Sequence, residues 1–299
     1  MIGIIGPTAS GKTSLAVALA AKIGGEIISA DSRQVYIGMD IGSGKDLSEF
    51  TIEGKNIPYH LIDIQNPGYE YNVFEYQRDF YTVYNDIIKR KQHPILCGGT
   101  GMYIEAILKG YKLIQVPRNE VLRAELETKD DNELVALLMA FKELHNTSDT
   151  SDRNRLIRAI EIEIYNKEHK IKKEKYPPID YQLFAIHYER EELKKRITKR
   201  LKERLNTGMI EEVQGLLKNG ISADELKFYG LEYKFITQYV IGELTYNDMY
   251  QKLNSAIHQF AKRQMTWFRR MEKQGFEINW IPGNIPLERK VEIVLKKFN

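Results

Sequence analysis

The residues with the clearest chemistry lie near the start of the chain, in the stretch "GPTASGKT". Its pattern, G-x-x-x-x-G-K-[ST], is that of a loop whose backbone N–H groups surround phosphate oxygens while a lysine neutralises their charge. Lys12 is that lysine, and Thr13 stands where a hydroxyl faces a magnesium ion. An apolar strand precedes the loop and a helical stretch follows it, so a helix N-terminus also favours an anion there. The predicted phosphate-binding residues are Gly6, Thr8, Ala9, Ser10, Gly11, Lys12 and Thr13.

Two further polar residues follow apolar runs: Asp31 ends "GEIISAD", and Thr100 comes directly after "PILCGG". Ligands of parallel sheets bind beyond the carboxyl ends of the strands, so Asp31 can serve beside the phosphate loop as a base or a magnesium ligand. A helix N-cap is the alternative interpretation of Asp31, and an ordinary glycine turn is that of Thr100. Both alternatives stay open on position alone.

Basic helical segments supply candidates for phosphate contact. Arg196, Arg200 and Arg204 recur every four residues on one helix face, which suits a row of phosphates, although a solvated face is the commoner meaning. The ladder "DRNRLIRAIEI" is either a self-paired helix or a phosphate-facing one. In the last long helix we predict a core face of Phe260, Gln264, Trp267, Phe268 and Met271. The residues left for RNA contact are Lys262, Arg263, Arg269 and Arg270.

The elements that must position these residues alternate in type. Short apolar strands at "MIGIIG", "GEIISAD", "YHLIDI" and "HPILCGG" are separated at least in part by helices, which predicts a parallel sheet covered on both faces. Residues 118–180 are charged and helical in pattern, and "YQLFAIHYER" then returns as a strand. We predict an α/β, P-loop NTPase-like core over residues 1–117 and 181–299, with an inserted all-helical subdomain over 118–180.

Composition sets the outer limits. The chain has 299 residues, is 42% hydrophobic and carries a formal net charge of +3, so it is globular, and a nucleic-acid partner is compatible but not required. Its single cysteine, Cys97, excludes an internal disulfide and indicates a buried thiol in a reducing compartment. No apolar run approaches the roughly 20 residues of a membrane span. We therefore expect a soluble cytoplasmic protein without a membrane partner.

Taken in order, the motifs resemble those of tRNA dimethylallyltransferases, which attach an isoprenoid to a tRNA adenine. The matching stretches are "GPTASGKT", "DSRQVYIGMDIG", "YHLIDI", "PILCGGTGMY", "DRNRLIRAIEI" and "FAKRQMTWFRR". The resemblance implies that the loop binds the diphosphate of dimethylallyl diphosphate, with Mg²⁺ as cofactor. It also implies that adenine 37 of tRNA, flipped into a channel, attacks through N6 while diphosphate leaves intact.

The resemblance assigns roles to residues. Asp31 matches the proton acceptor, Lys12 stabilises the departing diphosphate, Thr100 lies near the reacting adenine, and Arg123 reaches the diphosphate or the tRNA. The helical insertion would grip the anticodon stem-loop, and the protein would act as a monomer. The tRNA-binding residues implied are Asp31, Ser32, Arg33, Gln34, Thr100, Arg123, Asn154, Arg155, Arg158, Arg200, Lys262, Arg263 and Gln264.

The chain departs from the family pattern at Ser43 and Gly44, at Asn146 to Asp152 and at Gly230 to Tyr233, which bears on tRNA specificity. Three other functions compete with this one. An adenylate dimethylallyltransferase would prenylate a free nucleotide and needs no RNA-gripping insertion. A P-loop small-molecule kinase would leave "DSRQVY" unexplained. An RNA-binding protein that uses a nucleotide only as a switch would not need the catalytic groups.

Overall fold

The structure of the chain is a computed structural model that describes residues 1–52, 54–141, 152–169 and 176–298. The strands in these residues are β1 Ile2–Ile5, β2 Gly25–Ala30, β3 Thr51–Ile52, β4 Lys55–Asn56, β5 Tyr59–His60, β6 His93–Gly98, β7 Gln182–His187 and β8 Ile278–Pro282. The helices are α1 Lys12–Ile23, α2 Val73–Lys89, α3 Gly101–Leu108, α4 Glu120–Glu127, α5 Asp131–Met139, α6 Arg153–His169, α7 Arg190–Asn206, α8 Met209–Lys218, α9 Ala223–Phe228, α10 Leu231–Val240, α11 Tyr246–Lys273 and α12 Leu287–Phe298. A 3₁₀ turn, η1, spans Leu47–Phe50.

The chain divides into two compact units. The first joins Met1–Gly110 with Pro177–Asn299, and the second is Tyr111–Tyr176. The second unit therefore begins seven residues before the predicted Arg118 and ends four residues before the predicted Asp180. Its described elements are the helices α4, α5 and α6.

A parallel sheet of strand order β5-β2-β6-β1-β7-β8 forms the centre of the first unit in the described residues. β1 is central because its apolar residues are buried on both faces, and Ile2 lies beside Ile95 of β6 and Gln182 of β7. This confirms the predicted α/β class. The strand β8, "INWIP", was not predicted.

The stretch "YHLIDI" was predicted as a full strand, and this was wrong. β5 ends at His60, after which Leu61 (φ 61°) and Asp63 (φ 54°) turn the backbone away from extended geometry. Asp63 pairs there with Lys45, whose side chain is fully buried and also donates to the Asp40 carboxylate (2.7 Å) and the Tyr36 carbonyl (2.6 Å). A buried ammonium needs such partners, so pairing with Lys45 outweighs continuation of the strand.

Helices cover both faces of the sheet. Across the sheet, α1 connects β1 to β2 in one direction and α2 connects β5 to β6 in the opposite direction. Because such crossovers are right-handed, the two helices lie on opposite faces of the sheet. α12 packs beside α1, while α3 packs against α2 and α11. Cys97 is buried in β6, and burial raises the pKa of its thiol to about 12, so it is a neutral structural residue as predicted.

The second unit has its own apolar core. Leu134 and Leu138 of α5 are fully buried against Leu156 and Ile160 of α6, and Leu126 of α4 closes the cluster. Leu137 is partly buried against this core.

Within the described ranges, no helix combines the length and the apolar character that crossing a membrane would require.

Candidate functional site

The phosphate loop connects the carboxyl end of β1 to the first turn of α1. Ala9 (φ 59°) and Gly11 (φ 82°) adopt left-handed backbone conformations, and Gly11 is the N-cap of α1. This curl directs successive N–H groups and the positive end of α1 to one place. Lys12 lies at that place, where its Nζ is 3.4 Å from the Pro7 carbonyl. Desolvation by the surrounding protein lowers the pKa of Lys12, while the nearby Asp31 partly opposes the shift.

Asp31 and Thr100 meet beside this loop, at the carboxyl ends of the adjacent strands β2 and β6. Thr100 N donates to the Ala30 carbonyl (3.0 Å), and the Thr100 hydroxyl accepts from Ser32 N (3.0 Å). The Asp31 carboxylate accepts from Arg33 N (2.9 Å), so it stabilises its own turn rather than capping a regular helix. Thr100 therefore ties the Asp31 segment to β6, which is more than an ordinary glycine turn does.

Gln264 of α11 joins the phosphate loop to the Thr100 loop. Its Oε1 accepts from Thr8 N (2.9 Å), and its Nε2 donates to the Gly99 carbonyl (2.9 Å). The residue is buried, as predicted for its helix face. Its amide thus fixes the two loops that border Lys12, and the predicted contact of Gln264 with tRNA remains a prediction.

The segment after Asp31 is anchored rather than loose. The Gln34 side chain accepts from the Ser29 hydroxyl (2.9 Å) and donates to the Gly44 carbonyl (3.1 Å). Gly42 approaches the ring of Tyr233 so closely that a Cβ there would lie 2.7 Å from it. Two of the positions that depart from the family pattern, Gly44 and Tyr233, therefore support this segment.

The arginine row of α7 is only partly a solvated face, because Arg196 is exposed whereas Arg200 and Arg204 are not. Arg196 donates through Nε to the Ala9 carbonyl (3.0 Å). Arg200 and Arg204, with side chains only 30% and 13% exposed, both donate to Asp46. Burial lowers the pKa of Arg200, helped by the charge of Arg204. Desolvation also raises the pKa of Glu232, which faces the same pair.

The helix α11 presents Lys262 and Arg263 to solvent, as RNA contact would require. The prediction of Phe260 as core was wrong, because its side chain is 39% exposed beside the Arg263 guanidinium, 6.0 Å from the ring. Arg270, predicted to be available to RNA, instead pairs with Glu105 (2.6 Å) and stacks on Trp267 (4.0 Å). Its position at the buried edge of α11 explains the difference.

Comparison with known proteins decides the family. The family model "IPP transferase" matches residues 34–271, and "Isopentenyl transferase" matches residues 1–64. A tRNA dimethylallyltransferase 2 of Bacteroides fragilis is 54% identical over 297 residues, covering 99% of this chain and 97% of the relative. A tRNA dimethylallyltransferase 1 of Porphyromonas gingivalis is 54% identical over 298 residues, covering 100% and 99%. The chain belongs to the tRNA dimethylallyltransferase family.

Solved structures agree with this family. The tRNA isopentenylpyrophosphate transferase of Bacillus halodurans is 30% identical, with a TM-score of 0.73 over 99% of this chain and 94% of that one. A eukaryotic dimethylallyltransferase acting on tRNA is 21% identical with a TM-score of 0.79, covering 100% of this chain and 79% of that one, and supports the fold. The predicted enzyme class, a transferase of an isoprenoid group, is confirmed.

The remaining predicted residues of this family member lie in the helical unit. Arg123 and Arg158 both pair with Glu161, whose side chain is 2% exposed. The ladder is thus self-paired at Arg158, whereas Asn154 and Arg155 are exposed and stay candidates for RNA contact. The predicted reach of Arg123 to diphosphate or tRNA stays a prediction. Of the departing segment 146–152, residues 146–151 lie outside the described residues.

Sequence reasoning named Arg204 as part of the arginine row but did not single out its partners Asp46 and Glu232. The four-residue spacing of the arginines was visible, but their partner Asp46 lies 158 positions before Arg204 in the chain. A tertiary contact of that separation leaves no local pattern. The departure from the family pattern beside Asp46, at Ser43 and Gly44, was the available signal.

The donor set at the loop is compatible with magnesium. Among the described residues there is no group of three or more His, Cys, Asp or Glu side chains that could hold a metal ion by themselves. Mg²⁺ commonly takes one or two protein ligands and completes its shell with phosphate oxygens and water. Thr13, in the first turn of α1, can supply such a ligand only when a phosphate group shares the ion.

Proposed function

We propose that this transferase moves the dimethylallyl group of dimethylallyl diphosphate to N6 of adenine 37 in tRNA and releases diphosphate. The observation that carries the proposal is the convergence of the phosphate loop, Asp31 and Thr100 at three adjacent strand ends, held together by Gln264. Membership of the tRNA dimethylallyltransferase family supports the choice of both substrates.

The chemistry needs a base and an anion site, and the two lie side by side. The allylic carbon–oxygen bond breaks, its electron pair leaves with the diphosphate, and the adenine N6 forms the new carbon–nitrogen bond. Asp31 accepts the proton that N6 loses, because an exocyclic amine is a weak nucleophile and cannot remain protonated after attack. Lys12 and the loop N–H groups stabilise the charge that develops on the diphosphate.

Thr13 and the bound diphosphate would hold Mg²⁺, which when bound adds positive charge beside the leaving group. Thr100 and Ser32 form the wall next to Asp31 and would orient the adenine. The loop of Thr100 is held by Gln264, so the base and the anion site keep a fixed spacing. Fixed spacing of the reacting groups is itself a large part of catalysis in such sites.

The helical unit, residues 111–176, would grip the anticodon stem-loop, with Asn154 and Arg155 as exposed candidates for phosphate contact. Extruding adenine 37 costs a few kcal/mol of lost stacking. Contacts of Lys262 and Arg263 with phosphates would offset this loss. We expect a monomeric enzyme, because one chain supplies every group used in the step above. The single free thiol, Cys97, suits a reducing cytoplasm.

The test incubates the purified protein with dimethylallyl diphosphate and Mg²⁺ in two parallel arms. One arm contains unmodified tRNA that carries adenine 37, and the other contains AMP. Nucleoside mass spectrometry then measures isopentenyladenosine. Product from tRNA alone supports the proposal, and product from AMP alone assigns the adenylate dimethylallyltransferase activity instead. A third arm with ATP in place of the prenyl donor detects phosphoryl transfer, which would indicate a kinase.

A further inference from the structure

The arginine row of α7 starts at the phosphate loop and continues away from it. Arg196 binds the Ala9 carbonyl, and its Nη2 lies 4.0 Å from the position of a Cβ on Gly11. Residues four apart on a helix share a face and are separated by about 6 Å along its axis. Arg200 and Arg204 therefore lie one and two turns further along the same face.

The segment around Asp46 holds these two arginines beside α1. Asp46 Oδ2 is 2.8 Å from Arg204 Nη2 and 3.2 Å from Arg200 Nη2. Asp46 precedes the turn η1, in which Glu49 accepts from the Ser14 hydroxyl (3.0 Å) in the first turn of α1. One short turn thus connects the arginine pair to the helix end where the loop binds its anion.

The approach of the pair depends on Gly44. A Cβ at Gly44 would lie 2.5 Å from Arg200 Nη2 and 2.7 Å from Arg204 Nη2, and Gly44 has a φ of 74°. Such distances exclude a side chain at this position unless the guanidinium groups move. The backbone is therefore shaped to admit two guanidinium groups at once.

Arg200 and Arg204 have hydrogen-bond donors that Asp46 does not use. Asp46 binds only Nη2 of each arginine, and among the described residues Nε and Nη1 of Arg200 and Arg204 have no hydrogen-bond partner. Asp46 is the carboxylate that hydrogen-bonds to the pair, and Glu49 and Glu232 act on Arg200 at longer range. Burial raises the pKa of Glu232. Open donors on two guanidinium groups are what a multiply charged anion needs.

We propose that Arg204 binds the diphosphate group of the prenyl donor next to Arg200, as a second guanidinium that Asp46 holds in place. The inference rests on the proposed function, since it takes that diphosphate as the ligand. Lys12 and the loop N–H groups surround one end of the anion, and the arginine pair neutralises the other. If the pair binds the anion, a diphosphate uses both parts of the site and a monophosphate uses only one.

The experiment measures binding of inorganic diphosphate by calorimetry, with Mg²⁺ present, to the full-length protein and to Arg204→Gln. Loss of a charged, forked donor is expected to weaken binding about 10- to 100-fold. The matched control is Lys202→Gln, an exposed position of the same helix, which should stay within about twofold. Monophosphate binding should change less than diphosphate binding. In turnover, the KM for dimethylallyl diphosphate should rise more than kcat falls, and tRNA affinity should be unchanged.

Equal diphosphate affinity of folded Arg204→Gln and wild type would overturn the inference. So would a loss of tRNA affinity with unchanged diphosphate binding, which would place Arg204 on the RNA. If Arg204→Gln does not fold, Arg204→Lys replaces it, and this variant keeps the charge without the fork and should bind several-fold more weakly than wild type. A wild type that binds diphosphate but modifies no tRNA contradicts the proposed function instead, so the two failures are distinguishable.

Discussion

Lys12 must be protonated for the proposed step, and the nearby Asp31 favours that form. Lys12 has to be protonated to bind diphosphate, yet desolvation lowers its pKa. The charged form of Lys12 is therefore lost at a lower pH than that of an exposed lysine. The prenyl donor does not titrate in the alkaline range, since the second ionisation of such phosphates lies near pH 6.

We expect binding of dimethylallyl diphosphate, measured by calorimetry without tRNA, to weaken as pH rises through the lowered pKa of Lys12. Below that pKa the affinity should be constant. Lys12→Arg stays charged over the whole range and should remove the alkaline loss, even if its affinity at pH 7 is lower. An unchanged alkaline loss in Lys12→Arg would show that another group titrates.

Asp31→Asn should reduce the rate of isopentenyladenosine formation about 100- to 10,000-fold, because Asn cannot accept the N6 proton. Its side-chain oxygen can still accept from Arg33 N, so the turn should persist. Binding of tRNA, measured by filter binding, should stay within a few-fold of wild type. A single-turnover rate equal to that of wild type would remove Asp31 from the mechanism.

At this scale the sequence predicts the phosphate loop, Asp31 and Thr100 as neighbours, because strand ends and glycine patterns are local signals. It does not predict whether Gln264 contacts RNA or the protein, since a polar residue on a helix can do either. The structure shows bonds from Gln264 to Thr8 and Gly99, more than 160 positions away in the chain, and its contact with tRNA stays a prediction. No local sequence pattern indicates contacts of that separation.

The pairing of β2 with β6 depends on a glycine that carries no chemistry. A Cβ on Gly98 would lie 2.3 Å from the Ala30 carbonyl oxygen, next to Asp31. Gly98→Ala should therefore lower the free energy of unfolding by about 1–3 kcal/mol through overpacking. Gly215→Ala in α8 meets no atom within 4 Å and should raise it by about 0.5–1 kcal/mol. Urea titrations of both variants measure the contrast, and equal shifts would contradict it.

The helical unit depends on the ion cluster of Glu161. Burial opposes its ionisation, but hydrogen bonds from Arg123, Asn119 N and Arg158 outweigh burial and hold the pKa of Glu161 below its usual value. Since the pKa is lowered on folding, the cluster stabilises the unit fully above the unfolded pKa of about 4.3 and loses this effect as pH falls through the folded pKa.

Glu161→Gln should destabilise the unit by about 3 kcal/mol at neutral pH, because two arginines lose their buried partner. Amide hydrogen exchange in α4 and α6 measures the loss, which should shrink under acidic conditions. Glu125→Gln, at an exposed position of α4, is the control and should leave exchange unchanged. Equal protection of both variants at neutral pH would contradict the role of the cluster.

The sequence predicts helices and strands where the apolar periodicity is strong. It misses those whose formation depends on pairing with a distant part of the chain. The helices α1 and α2 and the strands β1, β2, β6 and β7 follow from apolar patterns. The strand β8 contains a proline and only five residues, and it exists because β7 offers an open edge. β5 is shorter than predicted because Lys45 draws Asp63 into a turn, which no local pattern indicates.

At the scale of the whole molecule, a modest net charge of +3 conceals local clusters of basic residues. Binding of tRNA should weaken steeply with salt, because neutralising phosphates releases counterions. Lys262→Ala with Arg263→Ala should reduce the slope of log affinity against log salt by about 1–2, since each contact contributes roughly one. Filter binding between about 50 and 300 mM salt measures this slope. A slope equal to that of wild type would show that Lys262 and Arg263 do not contact the RNA phosphates.

The order of strands in the sheet also governs when the enzyme can fold during its own synthesis. β1 lies between β6 and β7, and β7 pairs in turn with β8 at Ile278–Pro282. A growing chain that has passed only residue 110 leaves β1 without its second neighbour, whereas the apolar partners of α4, α5 and α6 all lie within the second unit. The inserted helices can therefore become ordered on the ribosome before the catalytic sheet that flanks them in sequence is closed.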